Sequence, residues 1–348
     1  MNHLHTKPIR LGIIGAGIFV RDAHLPSLLR LGDLYQVVAI CSKGGESAQA
    51  LAKSVPNEVA IYTDWAELFK RTDIDAIDIV LPIDLMPTVI EQGLESGKHL
   101  ISEKPIAAKV ATARQLVDQF TQTTRRFPGQ QWMVGENWRY EAAFPLAKEI
   151  VDSGEIGHPL TFHWAQHVAM TAANKYFHTP WRRAGDLAGG YLLDVSVHHA
   201  SALRLIFGEV ESVSADVKQF SPELPPVDTL AATFRMANGV VGSYLLSFAA
   251  AAAWQPLLHI VGDKGSLRVQ RGFVEVTSGG QSRSIPCAGM NGVEMELAAF
   301  GQTLTEGIAH KNSPIEALRD LIVVETLLQA AASGQRCPVE RSGEIVGQ

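Results

Sequence analysis

A strand-like apolar run, Ile9 to Gly15, passes into Gly15-Ala16-Gly17 and then into a helical pattern over 22–31, where Leu25, Leu28 and Leu29 share one face. Few features restrict a fold more. A strand that ends on paired glycines and restarts as a helix aims backbone N–H groups at one spot, ready for an anion. Gly15 permits a tight turn, and Gly17 lets backbone approach a pyrophosphate. Val20 stands where a third glycine would serve helix–strand packing. An ordinary βα turn is the plain alternative, because a bare G-x-G arises often by chance.

The alternation continues. Val37 to Cys41, Ala76 to Leu81, Lys98 to Ser102 and Gln131 to Gly135 read as strands. Helical patterns fill 46–54, 85–96 and 107–123 among them. Short apolar strands alternating with helices predict an α/β fold, a doubly wound parallel sheet of the Rossmann type. The rhythm changes at Phe127-Pro128-Gly129, which we read as a hinge. The 348 residues allow two domains, since single cores stop growing near about 250–300 residues. We place a dinucleotide-binding domain at 1–128 and a second domain at 129–348. In the second, helical patterns cover 142–152, 190–207, 293–309 and 315–333. Strand-like segments fill 160–168, 210–219, 228–236, 240–248, 257–262 and 265–271, with turn signals at Asn238-Gly239 and Gly279-Gly280. This predicts an α+β domain on a large, open, mostly antiparallel sheet. Ala249 to Ala253 reads as a short low-complexity tract.

Composition narrows the partners. The net charge of −6, without a long basic run, argues against nucleic acid. No stretch approaches the roughly 18–20 uncharged apolar residues of a membrane span. Lys7 and Arg10 before an apolar run mimic a signal peptide, but the run breaks at glycines and reads as a strand. His3 and His5 read as a disordered tail. Cys41, Cys287 and Cys337 are odd in number and far apart, so neither a disulfide framework nor a metal cluster is expected. A reducing, cytoplasmic compartment fits best.

The tip of the second strand bears on the choice of cofactor. NAD-binding folds usually place an acid there for the ribose 2′-hydroxyl. Here the text is Cys41-Ser42-Lys43-Gly44, with no acid before Glu46. Ser42 and Lys43 suit a 2′-phosphate, so NADP is favoured and NAD stays open. Lys43 also reads as a plain solvated turn residue.

Two further motifs carry chemistry. Glu103-Lys104-Pro105 follows the strand 98–102 and so lies at its C-terminal end, the edge where open α/β sheets bind ligands. A lysine there can stabilise a developing alkoxide, although a surface lysine is the bland alternative. Asp194 and His198 sit four apart at the start of a predicted helix, hence on one face. A histidine and an acid so placed can exchange a proton and hold a substrate, or serve as a capping acid and a core histidine. His199 should point elsewhere on the helix. Asn137, Trp138, Arg139 and Tyr140, and the cluster Trp181-Arg182-Arg183, offer aromatic faces beside polar donors for a polyhydroxylated substrate. Packing with solvated arginines explains them equally well.

Assembled, these residues resemble the glucose-fructose oxidoreductase / inositol dehydrogenase / MocA family. The matching text is Gly12-Ile13-Ile14-Gly15-Ala16-Gly17, Glu103-Lys104-Pro105, and Gly189-Gly190-Tyr191-Leu192-Leu193-Asp194-Val195-Ser196-Val197-His198. The resemblance implies an N-terminal Rossmann domain and a C-terminal α/β domain. It implies an open sheet that commonly forms an oligomer interface, hence a homo-oligomer, a dimer or tetramer. It implies reversible hydride transfer between NAD(P) and a secondary alcohol or carbonyl of a sugar, polyol or related small molecule. Lys104 then looks like the catalytic lysine, with Asp194 and His198 as the substrate-binding and proton-transfer pair. Gly15, Gly17, Ile18, Phe19, Ser42, Lys43, Leu81, Pro82, Glu103, Trp181 and Arg182 look like cofactor-binding positions. Asn137, Arg139 and Tyr140 look like substrate-binding ones. Leu81-Pro82 with Glu136 to Tyr140 resembles an NADP-preferring subgroup. Departures are Val20, Ser196 in place of a usual glycine, Ser201 in place of a common acid, and Ile83 to Pro87 after Pro82. Some relatives use this fold as a non-catalytic, nucleotide-sensing regulatory protein, the alternative from another class.

Overall fold

The computed structural model describes residues 7–341, so His3 and His5 lie outside the described residues. Contacts divide the chain into two compact units, Met1–Asn137 with Gly292–Leu318, and Trp138–Asn291 with Arg319–Gln348.

The first unit holds six strands: β1 (Ile9–Ile14), β2 (Tyr35–Cys41), β3 (Ala60–Tyr62), β4 (Ala76–Ile79), β5 (His99–Glu103) and β6 (Trp132–Gly135). All pair in parallel in the order β3-β2-β1-β4-β5-β6. The helices are α1 (Leu25–Arg30), α2 (Glu46–Ala52), α3 (Trp65–Lys70), α4 (Met86–Glu95) and α5 (Val110–Arg126). The strand order reverses between β1 and β4, the switch point at which such sheets bind ligands. Strands β4 and β6 are buried at every position, as a sheet covered on both faces requires. β3 and α3 went unread in the sequence. β3 has three half-buried residues, too few to show a period. α3 is marked by Asp64, whose carboxylate accepts the Ala66 N–H at 2.9 Å.

The helix expected over 22–31 begins differently. Val20–His24 is a π-helical turn, closed by the Leu25 N–H donating to the Val20 carbonyl. Pro26 supplies no N–H to the next rung, so the ladder widens there before α1 proceeds. Val20 is fully buried within the core that Leu11, Leu25 and Tyr35 share.

The second unit contains β7 (Pro159–Ala169), β8 (Val210–Lys218), β9 (Thr229–Met236), β10 (Val241–Ser247), β11 (Ala249–Gly262), β12 (Gly265–Gln270), β13 (Phe273–Ser278), β14 (Gln281–Pro286) and β15 (Cys337–Pro338). They form one nine-stranded sheet, β14-β13-β12-β11-β7-β10-β9-β8-β15. Only the β7–β10 pairing is parallel. Its helices are α6 (Ala143–Asp152), α7 (Pro180–Arg183) and α8 (Gly190–Phe207). The Asn238-Gly239 hairpin forms as read, with Gly239 at φ +91° and the Asn238 side chain accepting the Val240 N–H. Gly279 and Gly280, both at positive φ, join β13 to β14. The sequence signalled that turn but not the strands beside it, because β14 is an exposed polar edge without an apolar alternation. The alanine tract opens β11, where Ala249 pairs with Ala169.

Helix α9 (Gly292–Glu306) returns to the first unit, and α10 (Pro314–Ser333) follows it. The sequence division at residue 128 had placed α9 in the second domain. Its Val293, Leu297 and Phe300 join the core of Leu11, Leu25 and Tyr35, and the Tyr35 hydroxyl donates to the Leu297 carbonyl at 2.7 Å. A contact between residues so far apart in the chain leaves no local pattern to read.

Candidate functional site

In the first unit the expected cofactor residues gather at the C-terminal ends of the parallel strands. Gly15 ends β1 at φ +110°, and a β-carbon there would lie 2.1 Å from the Val80 carbonyl oxygen, so only glycine fits. That close approach seats the turn against Val80 and Leu81, just past the end of β4. Gly17 is the opposite case: a β-carbon there meets no protein atom within 4 Å. The backbone faces open space, as a phosphate cradle must, and the turn fits a dinucleotide. Ile18 and Phe19 are half-buried beside it. Lys43 stands exposed beyond β2. Ser42 is buried, and its hydroxyl accepts from the Ala48 N–H at 3.1 Å and from Ser47 Oγ at 2.9 Å.

Gly17→Ala therefore makes a clean test. The fold should be unaffected, while affinity for the dinucleotide should fall about tenfold or more, about 1.4 kcal/mol. Unchanged affinity by fluorescence titration would contradict a cradle at this turn.

Lys104 is half-buried at the end of β5, and its peptide bond to Pro105 is cis. Glu103 is buried. Its Oε1 lies 2.9 Å from His24 Nε2, and its Oε2 accepts the Lys104 backbone N–H at 3.2 Å. His24 Nδ1 in turn lies 2.8 Å from Asp78 Oδ2. No local pattern in the sequence marks His24. Asp78 carried a faint signal, a charge inside the wholly buried strand β4.

A second buried acid joins this neighbourhood. Glu296 on α9 is 1% exposed, and its Oε2 accepts from Asn312 Nδ2 at 3.0 Å. Burial, then the Glu103 charge, pushes its carboxyl well above the usual range. The folded protein thus holds a proton that the unfolded chain releases above about pH 4.3. This stability is complete below that pH and is lost as pH rises through the folded value. Glu296→Gln removes the titration and keeps the acceptor. Its urea midpoint should exceed wild type at neutral and higher pH, with the gap closing toward pH 4. An equal gap at every pH would contradict the assignment.

In the second unit, α8 places Asp194 and His198 one turn apart. Asp194 is 8% exposed, and Arg182 holds it by two bonds to Oδ2, 3.0 Å from Nε and 2.8 Å from Nη2. The Arg182 guanidinium lies 4.0 Å over the Trp181 ring, so Trp181, Arg182 and Asp194 act as one assembly. The His198 ring stacks on Trp138 at 5.3 Å and 14°. His199 meets the same Trp138 edge-on at 5.1 Å and is buried, with Nδ1 2.6 Å from the Tyr244 hydroxyl. Burial, with His198 nearby, holds its pKa well below the usual value, so His199 stays neutral. Ser196 bonds the same Tyr244 hydroxyl at 3.1 Å, which gives this departure from the family pattern a structural use.

Asn137 is half-buried and Tyr140 is 6% exposed. Arg139, expected to face substrate, is 4% exposed, and its guanidinium bonds Asp320 at 2.7 Å. Arg204 bonds the other oxygen of Asp320 at 2.5 Å. Nothing local in the sequence joins residues so far apart.

A parallel sheet in this strand order, with a glycine turn at its switch point and a lysine ending β5, defines a dinucleotide-dependent oxidoreductase. Residues 9–128 match the oxidoreductase family with an NAD-binding Rossmann fold, and 144–268 match the GFO/IDH/MocA C-terminal domain. The chain belongs to the GFO/IDH/MocA family and is an NAD(P)-dependent oxidoreductase. It is 32% identical to the dehydrogenase FPY6 of Fusarium mangiferae, covering 93% of this chain and 97% of that one. It is 25% identical to an inositol 2-dehydrogenase/D-chiro-inositol 3-dehydrogenase of Lacticaseibacillus casei, covering 75% and 72%. Among solved structures, an oxidoreductase from Thermotoga maritima superposes with a TM-score of 0.88 at 35% identity, over 95% of this chain and 98% of that one. Among the described residues, no helix is long and apolar enough to cross a membrane.

Proposed function

We propose that this protein is an NADP-preferring dehydrogenase or reductase acting on a secondary alcohol or carbonyl of a sugar, polyol or related small molecule. The observation that carries this is the C-terminal edge of the first sheet, where the open Gly17 turn follows β1 and Lys104 follows β5, with β4 between them. The inositol dehydrogenase relative supports a polyhydroxylated substrate. The exposed Lys43, with no acid before Glu46, supports a 2′-phosphate and hence NADP.

A bound nicotinamide supplies hydride acceptance or donation. In the oxidative direction His198 takes the hydroxyl proton on a ring nitrogen, and the Trp138 stack fixes the plane of that ring. Lys104 stabilises the forming alkoxide. Asp194, steadied by Arg182, orients the substrate. Reduction reverses these roles. Trp181, Ile18, Phe19, Leu81 and Pro82 would line the dinucleotide, and Asn137 and Tyr140 the substrate. The protein would work in the cytoplasm as a dimer or tetramer, with the second sheet as interface. Val241 on β10, exposed beside its exposed register partner Thr161 on β7, supports that surface.

The test is a screen of polyols and sugars with NADP, followed by nicotinamide fluorescence, with Lys104→Ala run alongside. Turnover that requires Lys104 supports the reading. Turnover indifferent to it, or none across the panel, counts against it.

A further inference from the structure

His24 is fully buried between two carboxylates. Its Nδ1 is 2.8 Å from Asp78 and its Nε2 is 2.9 Å from Glu103. Burial opposes a charge on the ring, but Asp78 and then Glu103 outweigh it and hold the pKa well above the usual value. Both ring nitrogens therefore carry protons and donate. The second oxygen of Glu103 accepts the Lys104 N–H at 3.2 Å. The bonds thus run from Asp78 through His24 and Glu103 to the backbone from which the lysine springs. The ring also meets Phe19 edge-on at 5.2 Å, just after the glycine turn.

Three segments meet on this ring: the turn before α1, the strand β4 and the end of β5. A histidine that merely filled the core would need one partner at most, and burying two acids around it costs stability unless every bond is made. Without the imidazolium, Glu103 becomes an uncompensated buried anion that gains by turning to water, and it then releases the Lys104 N–H.

From this geometry we propose that His24 is a positioning residue for Lys104, clamping Glu103 so that Glu103 fixes the turn on which the lysine stands. The catalytic consequence rests on the function proposed above. The clamp itself does not.

The test is His24→Gln in the full chain, which keeps one donor and loses the charge and the second reach. The first readout needs no substrate: competitive acylation by N-acetoxysuccinimide, with peptides quantified by mass spectrometry. Lys98, at the other end of β5 and bonded to the Arg71 and Ile74 carbonyls, is the internal standard. Lys104 should acylate about threefold faster or more relative to Lys98, as a loosened turn opens more often. The second readout is turnover. kcat should fall about tenfold or more with cofactor KM within about twofold, since small misplacements cost rate before binding. If His24→Gln does not fold, Asp78→Asn tests the same chain in the same direction. A purely structural role would lower the thermal midpoint and leave both readouts at wild type. A wild-type label ratio overturns the proposal, as does wild-type kcat in an enzyme that Lys104→Ala inactivates. If Lys104→Ala stays fully active, the catalytic reading fails and the label ratio alone decides the clamp.

Discussion

Lys104→Ala should lower turnover by roughly 10²–10³, and His198→Ala by roughly 10²–10⁴. The two losses have different origins. Lys104 follows β5, and its backbone N–H donates to Glu103, so on the proposed mechanism its ammonium would meet a developing alkoxide with little reorganisation. Its removal deletes charge stabilisation in the transition state and should lower kcat and kcat/KM together. On the proposed mechanism His198 would move the proton, so its loss should fall most heavily on kcat and flatten the pH profile. Neither change empties a core position: both side chains are only half-buried, and thermal midpoints should stay near wild type. Steady-state kinetics with the substrate found by the screen decides the matter. Near-normal turnover in both variants would contradict the assignment.

Asp320→Ala should cost about 3–5 kcal/mol of stability, because it leaves two arginines buried without their shared anion. Asp320 is 2% exposed, with Arg139 and Arg204 at 4% and 7%. Each oxygen of the carboxylate serves one guanidinium, at 2.7 and 2.5 Å. Arg204 retains Glu209, at 3.0 and 2.8 Å, but Glu209 is partly exposed and compensates less. Asp216→Ala, at an exposed position of β8, is the control and should stay within about 0.5 kcal/mol of wild type. Urea unfolding measures both. A loss at Asp320 no larger than at Asp216 would contradict a buried triad.

How much of this was legible depended on whether a residue's partner lay nearby in the chain. The parallel sheet was readable because β1, β2, β4 and β5 are short apolar runs set among helices, and Gly15 and Gly17 mark the turn by their missing side chains. The i, i+4 spacing of Asp194 and His198 was readable for the same reason. β3 and β14 were not, one too short and the other too polar to carry a period. The buried ionic groups were illegible for a different reason. His24 finds Glu103 and Arg139 finds Asp320 only after the chain has folded, and a charge in sequence looks solvated until its burial is known. Arg139 shows the consequence: an arginine beside aromatic residues suggested a ligand contact, and the structure commits it to a carboxylate in the interior.

The most direct test is to titrate the purified protein with NADPH and then with NADH, following nicotinamide fluorescence. The account predicts binding of both, tighter for NADPH, and weakened in both cases by Gly17→Ala. Tighter binding of NADH would overturn the NADP preference alone, and binding of neither dinucleotide would contradict the account at its foundation.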